Sequence, residues 1–258
     1  MNPGGIFLAF VLTLLLSSPG ECSTICEEES CSCSENQVVC QGSEGEHLEL
    51  SPSSLPEATY SLSVSSFASV NIKTNTFSAT PDLGEISMTD LDKLNLEEFV
   101  FSEEENDGFL ESFNIENVGK LELTQESFDN SPQCNKATIK NVKIESVPTG
   151  GIKLYADTMK IEDCKFGELN EESIYSDSMN FIFLGNSVGH VKTYGFSGSN
   201  NVFNFSNNHI EKMESNAISV AFLNGDISRY SFVIIYNFLS CAMFNVSATH
   251  SSHIVALR

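Results

Sequence analysis

Apolar residues recur in pairs, at alternate positions, along the middle of the chain. Three windows of equal length superpose without a gap, at 61–77, 85–101 and 112–128. Each window contains two such pairs, with the second pair starting eight residues after the first, and each ends on a phenylalanine. Alternation over so short a distance is the period of a β-strand, not of a helix. The windows therefore predict short strands that turn every second side chain toward a core.

The same pairs continue toward the C-terminus and recur at every 22nd position. The first pair is Leu62/Val64, Ile86/Met88 and Phe113/Ile115, and we assign to it Ile152/Leu154, Ile174, Phe196 and Ile218. The second pair is Val70/Ile72, Leu94/Leu96 and Leu121/Leu123, and we assign to it Ala137/Ile139, Met159/Ile161, Phe181/Phe183 and Phe203/Phe205. Seven copies cover about 61–213, and the stretch 129–136, where one first pair is missing, is predicted to be a loop. A repeat of this length predicts a solenoid.

Asparagine recurs at one position of the repeat. Asn75, Asn186 and Asn208 each stand five residues after the start of a second pair, and Cys164 occupies the same position in another copy. Asparagine tolerates the left-handed backbone that a sharp turn requires. Side chains stacked in successive coils can also hydrogen-bond to one another. These residues therefore predict a turn ladder.

Two solenoid folds are compatible with this pattern. A right-handed parallel β-helix of about seven coils, with a repeat period of 22–27, explains both apolar pairs in every coil. A leucine-rich-repeat horseshoe explains the L-x-L-x-x-N-x-L skeleton, which appears as F-x-F-x-x-N-x-I at 203–210. Three residues before the second pair, however, the later copies carry Ala156, Ser178 and Asn200 instead of a large apolar residue. We therefore predict an all-β parallel β-helix, with the horseshoe as the alternative.

Five of the eight cysteines lie within residues 22–40. Four of them form a frame that is followed by L-x-L and a later Leu-Pro: Cys26, Cys31, Cys33 and Cys40. This frame resembles the N-terminal cap of extracellular leucine-rich-repeat proteins. That resemblance implies the disulfides Cys26–Cys33 and Cys31–Cys40. A solenoid exposes its core at each end, so a cross-linked lid has a clear physical purpose. The pairing of the other four stays open: Cys22, Cys134, Cys164 and Cys241.

The segment 1–20 carries no charge and contains an apolar core, as a secretory signal peptide does. We predict cleavage after Gly20, a cysteine-rich cap at 21–57 and solenoid repeats at 58–225. The segment 226–258 leaves the pattern and is interpreted as a cap or a truncated end. The region as a whole resembles secreted repeat proteins of animals, which implies a secreted, extracellular location.

The formal charge of −22 restricts the partners of the chain. A strongly acidic surface repels nucleic acid and anionic membranes, and the apolar segment 232–244 is too short to span a bilayer. Sequons at Asn204 and Asn245 predict N-glycosylation. We expect an unidentified extracellular protein or glycan as the partner, and no nucleic acid.

Catalytic motifs are absent from the sequence pattern. The β-helix enzymes that act on polysaccharides need paired aspartates, or a basic residue beside acids that bind calcium; Gly189–His190 is only a fragment and is predicted to lie in a turn. We expect no catalytic residue, no metal and no cofactor. The predicted function is a secreted structural or ligand-binding repeat protein. The alternatives are a leucine-rich-repeat recognition protein and a carbohydrate-active β-helix lyase or hydrolase, which a cluster of Asp or Arg on neighbouring coils would favour.

Overall fold

The computed structural model describes residues 25–102 and 108–221, together with the backbone of three short strands beyond them. The predictions for the signal peptide, Cys22, Cys241 and Asn245 lie outside the described residues. A short 3-10 helix, Ile25–Glu27, precedes the first strand. The strands are Cys31–Ser34, Gln37–Gln41, His47–Leu50, Ser61–Ser65, Ser69–Ile72, Glu85–Leu96, Phe109–Leu123, Gln133–Val147, Ile152–Glu162, Lys165–Leu169, Ile174–Leu184, Ser187–Val191, Phe196–Ser206, His209–Met213, Ile218–Ala221, Ser231–Ile235, Phe238–Leu239 and Val255–Leu257.

The chain folds as a parallel β-solenoid of about 8 turns. Each strand pairs in parallel with the equivalent strand of the next coil, and the pairings form three ladders that we call faces. The first face contains 37–41, 61–65, 85–89, 112–116, 136–140, 158–162, 180–184, 202–206 and 231–235. The second contains 47–50, 69–72, 93–96 and 120–123, then 143–147, 165–169, 187–191 and 209–213. The third contains 109–110, 133–134, 152–156, 174–178, 196–200 and 218–221.

The three faces distinguish the two predicted folds. A horseshoe places one strand of each coil in a single ladder, whereas a later coil here supplies strands to three ladders. In the earlier coils a turn that contains Phe77 or Phe101 takes the place of the third strand. The parallel β-solenoid is therefore confirmed.

Our assignment of the apolar pairs to faces was wrong from Ala137 onward. Phe113 and Ile115, which belong to a first pair, stack on Ala137 and Ile139, which we assigned to a second pair. The coils gain a third strand here, and all three faces bury equally apolar pairs, so alternation alone does not identify the face. No pair is missing, and the predicted loop at 129–136 is a strand from Gln133 onward.

The core is a stack of side chains that repeats with the coils. Phe181 lies over Phe203 with ring centroids 5.1 Å apart, and Phe183 lies over Phe205 at 5.0 Å. All four are at most 1% exposed. Each such ring pair contributes about 0.5–1.5 kcal/mol beyond its buried area.

Asn186 and Asn208 form a buried ladder with Cys164. The Asn186 backbone N–H donates to Asn208 Oδ1 at 2.9 Å, and the Cys164 N–H donates to Asn186 Oδ1 at 2.8 Å. Asn208 Nδ2 donates to the carbonyl oxygen of Phe183 at 2.9 Å. The left-handed residue is instead the one before each of them, Gly185 or Asn207. Asn75 does adopt a positive φ of 59°, but in a separate turn.

The cysteine-rich segment is itself part of the solenoid. Cys26 bonds to Cys33 and Cys31 bonds to Cys40, the pairs that the resemblance implies. Strand Gln37–Gln41 stacks on Ser61–Ser65 in parallel, and it also forms an antiparallel hairpin with Cys31–Ser34. The hairpin covers the end of the first coil.

We expect Asn208→Ala to lower the midpoint of chemical denaturation. It removes the acceptor of the Asn186 N–H inside the core, and a buried polar group without a partner costs about 1–3 kcal/mol. Asn135→Ala is the matched control, because Asn135 is exposed on a strand. Equal destabilisation by both substitutions would contradict the ladder's role.

Candidate functional site

The corner between the first and second faces is a column of left-handed residues. Successive coils place there Ser66, Asp90, Asn117, Asn141, Asp163, Gly185 and Asn207, all with φ between 51° and 70°. Aspartate, asparagine and glycine adopt this conformation more readily than other residues. The sharp turn therefore selects short polar side chains and directs them outward, in a line along the solenoid.

Three of these side chains form a hydrogen-bonded chain on the surface. Asn117 Nδ2 donates to Asp90 Oδ1 at 2.9 Å, and Asn141 Nδ2 donates to Asn117 Oδ1 at 2.9 Å. Both donations run toward Asp90. This fixes the orientation of each amide.

A groove of about 520 Å³ runs beside this column. Its floor is formed by the buried residues Leu91, Val118 and Val142. Gly119 keeps the groove wall close to the preceding coil, because a Cβ there would lie 2.7 Å from the Asp92 carbonyl oxygen. The polar rim consists of Asp90, Asp92, Asn117, Asn141, Lys143, Asp163 and Lys165. A groove of this kind presents charges and amides to solvent over a shallow apolar floor.

Lys143 and Lys165 are direct neighbours in adjacent coils. Both are exposed, and neither forms an ion pair with a described residue. Like charges placed opposite each other across a strand pair are unfavourable. The two ammonium groups are thus brought together by the fold without a carboxylate between them.

The acidic side chains of the groove do not neutralise these lysines. Among the described residues, Asp92 and Asp163 form no ion pair, although both line the same groove as Lys143 and Lys165. Asp90 and Asp163 are three coils apart, about 14 Å at a strand spacing of about 4.8 Å. The groove therefore holds unpaired charges of both signs along its length.

Sequence reasoning missed this site. Six lysines fall within 136–165, against four acids. This stretch has a net charge of +2 in a chain of −22. A running sum of charge along the sequence would have found it, and the 22-residue interval between Lys143 and Lys165 would have predicted that they stack.

The structure places two features that the sequence analysis singled out, Gly189–His190 and Asn204. Gly189–His190 lies in the strand Ser187–Val191, so its placement in a turn was wrong. His190 stands between carboxylates of the neighbouring coils, 3.6 Å from Glu168 and 3.0 Å from Glu214. Asn204 lies half-buried on the first face, and its Oδ1 has no partner among the described residues.

Cys134 and Cys164 are free and buried. Burial raises the pKa of the Cys134 thiol to about 11 and that of the Cys164 thiol to about 12. The thiolate is the nucleophilic form of cysteine, so both are protonated and inert at neutral pH.

No protein-family model matches the chain, and no curated protein matches it. Within the described residues, no group of three or more His, Cys, Asp or Glu is arranged to hold a metal ion. In that same part of the chain, no helix has the length and apolar character needed to span a bilayer.

We expect Lys165→Glu to raise the free energy of unfolding by about 0.5 kcal/mol, since it converts a like-charged stack into an attractive pair. Lys93→Glu is the control and should be destabilising, because Lys93 already pairs with Glu122 at 2.7 Å. Urea denaturation at low salt measures both effects, and salt should reduce them. A loss of stability with Lys165→Glu would contradict the repulsion.

Proposed function

We propose that this chain is a secreted, non-catalytic β-solenoid that binds an extracellular ligand in the groove at the corner of the first and second faces. The observation that supports the proposal is the set of unpaired charges in that groove. Lys143, Lys165, Asp92 and Asp163 line one groove and form no ion pairs with each other. Such groups retain their full capacity to contact a ligand.

The solenoid also supports binding because it holds these groups still. The rim residues lie in strands that pair with the coil before and the coil after, or directly beside such a strand, as Asp163 does. A site that is ordered before the ligand arrives loses less entropy on binding. The position of the rim groups is thus set by the backbone ladders.

An extracellular location is part of the proposal. The N-terminal disulfides are compatible with it, since such bonds persist in oxidising compartments. The uncharged apolar start of the sequence and the sequons at Asn204 and Asn245 suit the secretory pathway. The similarity of the cap to that of leucine-rich-repeat proteins also favours recognition of a partner.

A polysaccharide-cleaving enzyme is the second candidate. Asp90 and Asp92 flank the buried Leu91, so both carboxylates project from one coil into the groove, where two lysines also lie. Glycosidases use two carboxylates. Asp90, however, already accepts a hydrogen bond from Asn117, and Asp163 is about 14 Å away from it along the coils. We therefore favour binding over hydrolysis.

Expression of the full chain in a secretory host should give a protein that starts after Gly20 and carries glycans. Intact-mass analysis before and after enzymatic removal of N-glycans measures both properties. Asn204→Gln and Asn245→Gln should each remove one glycan. Retention of the segment 1–20, or an unchanged mass after deglycosylation, would contradict the secretory part of the proposal.

The groove proposal predicts that ligand binding depends on rim side chains. We expect Asn141→Gly combined with Asp92→Ala to weaken binding to extracellular glycans and proteins, measured on arrays, by about tenfold, the loss of one or two hydrogen bonds. Asn207→Gly is the matched control, since it lies in the same corner column outside the groove and keeps the left-handed backbone.

Binding that is unaffected by the rim substitutions would contradict the groove as the site. The bound glycans are also analysed for chain shortening after incubation. Shortened products that disappear with Asp92→Ala would replace the binding proposal with the enzymatic one.

A further inference from the structure

The solenoid contains a second pair of stacked lysines, and an acidic residue neutralises that pair. Lys93 and Lys120 are direct neighbours on the second face. Glu122 lies between them, 2.7 Å from Lys93 Nζ and 2.9 Å from Lys120 Nζ. Hydrogen bonds from these two lysines lower the pKa of the Glu122 carboxyl. One carboxylate therefore serves both ammonium groups.

On the first face a glutamate also joins two lysines of adjacent coils, although there Lys140 stands opposite the glutamate and not opposite the other lysine. Glu162 Oε2 lies 2.9 Å from Lys160 Nζ and 3.6 Å from Lys140 Nζ, and Lys160 in particular lowers its pKa. In both cases a glutamate of the chain bridges lysines of adjacent coils.

Lys143 and Lys165 have the same stacking without a bridging acid, because Glu145, which follows Lys143 as Glu122 follows Lys120, pairs with Lys120 instead at 3.5 Å. Register places them opposite each other, as it places Lys93 opposite Lys120. Among the described residues, no carboxylate lies within ion-pair distance of either. What distinguishes this pair is that it opens into the groove of about 520 Å³, where an outside group has room to enter.

We propose that Lys143 and Lys165 together bind one anionic group of an acidic oligosaccharide lying in this groove. The inference rests on the proposed binding function and names the chemistry of its ligand. The anionic group, a carboxylate or a sulfate, takes the position that Glu122 takes between Lys93 and Lys120. Charge-assisted hydrogen bonds of this kind are shorter and stronger than neutral ones.

The remainder of the rim favours a sugar over an acidic peptide. Asp90, Asp92 and Asp163 are hydrogen-bond acceptors, and sugar hydroxyl groups donate to such acceptors. A peptide rich in Asp or Glu would meet these three carboxylates as like charges. The groove spans the coils from Asp90 to Asp163, about 14 Å, the length of a short oligosaccharide. A ligand with one anion and many hydroxyls matches this distribution of charge.

The test is titration calorimetry of the full secreted protein with four probes. These are a neutral trisaccharide that carries one galacturonic acid, the methyl ester of that acid, the same trisaccharide with one sulfate in place of the carboxylate, and a tetrapeptide of glutamate. We expect the galacturonate or the sulfated trisaccharide to bind, and the ester and the peptide to bind at least about tenfold more weakly. Lys143→Gln and Lys165→Gln should each weaken binding about tenfold, as expected for loss of a charged hydrogen bond.

Lys93→Gln is the control, because it alters a stacked lysine that already has an acid. Lys143→Arg should retain binding. The inference is overturned if Lys143→Gln binds like the unchanged protein, if the neutral ester binds equally well, if the glutamate peptide is preferred, or if no acidic probe binds. Preference for galacturonate or for sulfate identifies the source of the anion.

The two proposals fail in different ways. If other glycans bind in a manner that depends on Asn141 and Asp92 while Lys143→Gln has no effect, the groove function stands and the anion site falls. If Lys143→Gln abolishes binding while Asn141→Gly with Asp92→Ala has no effect, the anion site stands and the proposed role of the other rim side chains falls.

Discussion

The structure depends on parallel, in-register hydrogen bonding between successive coils. Because each strand pairs with its equivalent in the next coil, a residue meets the residues at the same position above and below it, at a spacing of about 4.8 Å. The side chain at one position must therefore be compatible with the side chains directly above and below it. Phenylalanine over phenylalanine and asparagine over asparagine are favourable in this setting, whereas lysine over lysine needs an acid between.

Stacked polar side chains are paired in one way in the core and in another way on the surface. Inside, Asn186 and Asn208 satisfy each other and the carbonyl groups of earlier coils, which allows polar side chains at 1% and 2% exposure. Outside, glutamates bridge most of the stacked or neighbouring lysines. Lys143 and Lys165 at the groove rim form no ion pair with a described residue, as is also true of Lys136 and Lys212 elsewhere on the surface. Because exposed ion pairs contribute little to stability, the unpaired lysines cost the fold little and remain available for another role.

The sequence predicted the solenoid because alternation and a constant interval are properties of the repeat itself. It did not predict which face each pair occupies. Ile115 and Ile139 lie in one ladder, although we assigned Ile139 to the same pair as Leu123. The sequence predicted the asparagine ladder. It assigned the left-handed backbone conformation to the asparagines of the ladder, whereas the residue before each of them adopts it. Gly185 and Asn207, which precede the ladder residues, adopt the left-handed turn. The groove was missed although Lys143 and Lys165 are 22 residues apart, because the repeat interval was applied to apolar positions and not to charged ones.

Local opening of the solenoid between two coils would connect the lysine pair with the two free thiols. Each coil is held mainly by its two neighbours, so such proteins open locally between coils. Repulsion between Lys143 and Lys165 acts across one particular boundary, the one between strands Gln133–Val147 and Lys165–Leu169. Cys134 and Cys164 are buried on either side of that boundary. A bound anion would hold this boundary closed, whereas opening of the boundary would expose the two thiols to oxidation. Occupancy of the groove would therefore affect whether the two cysteines become oxidised.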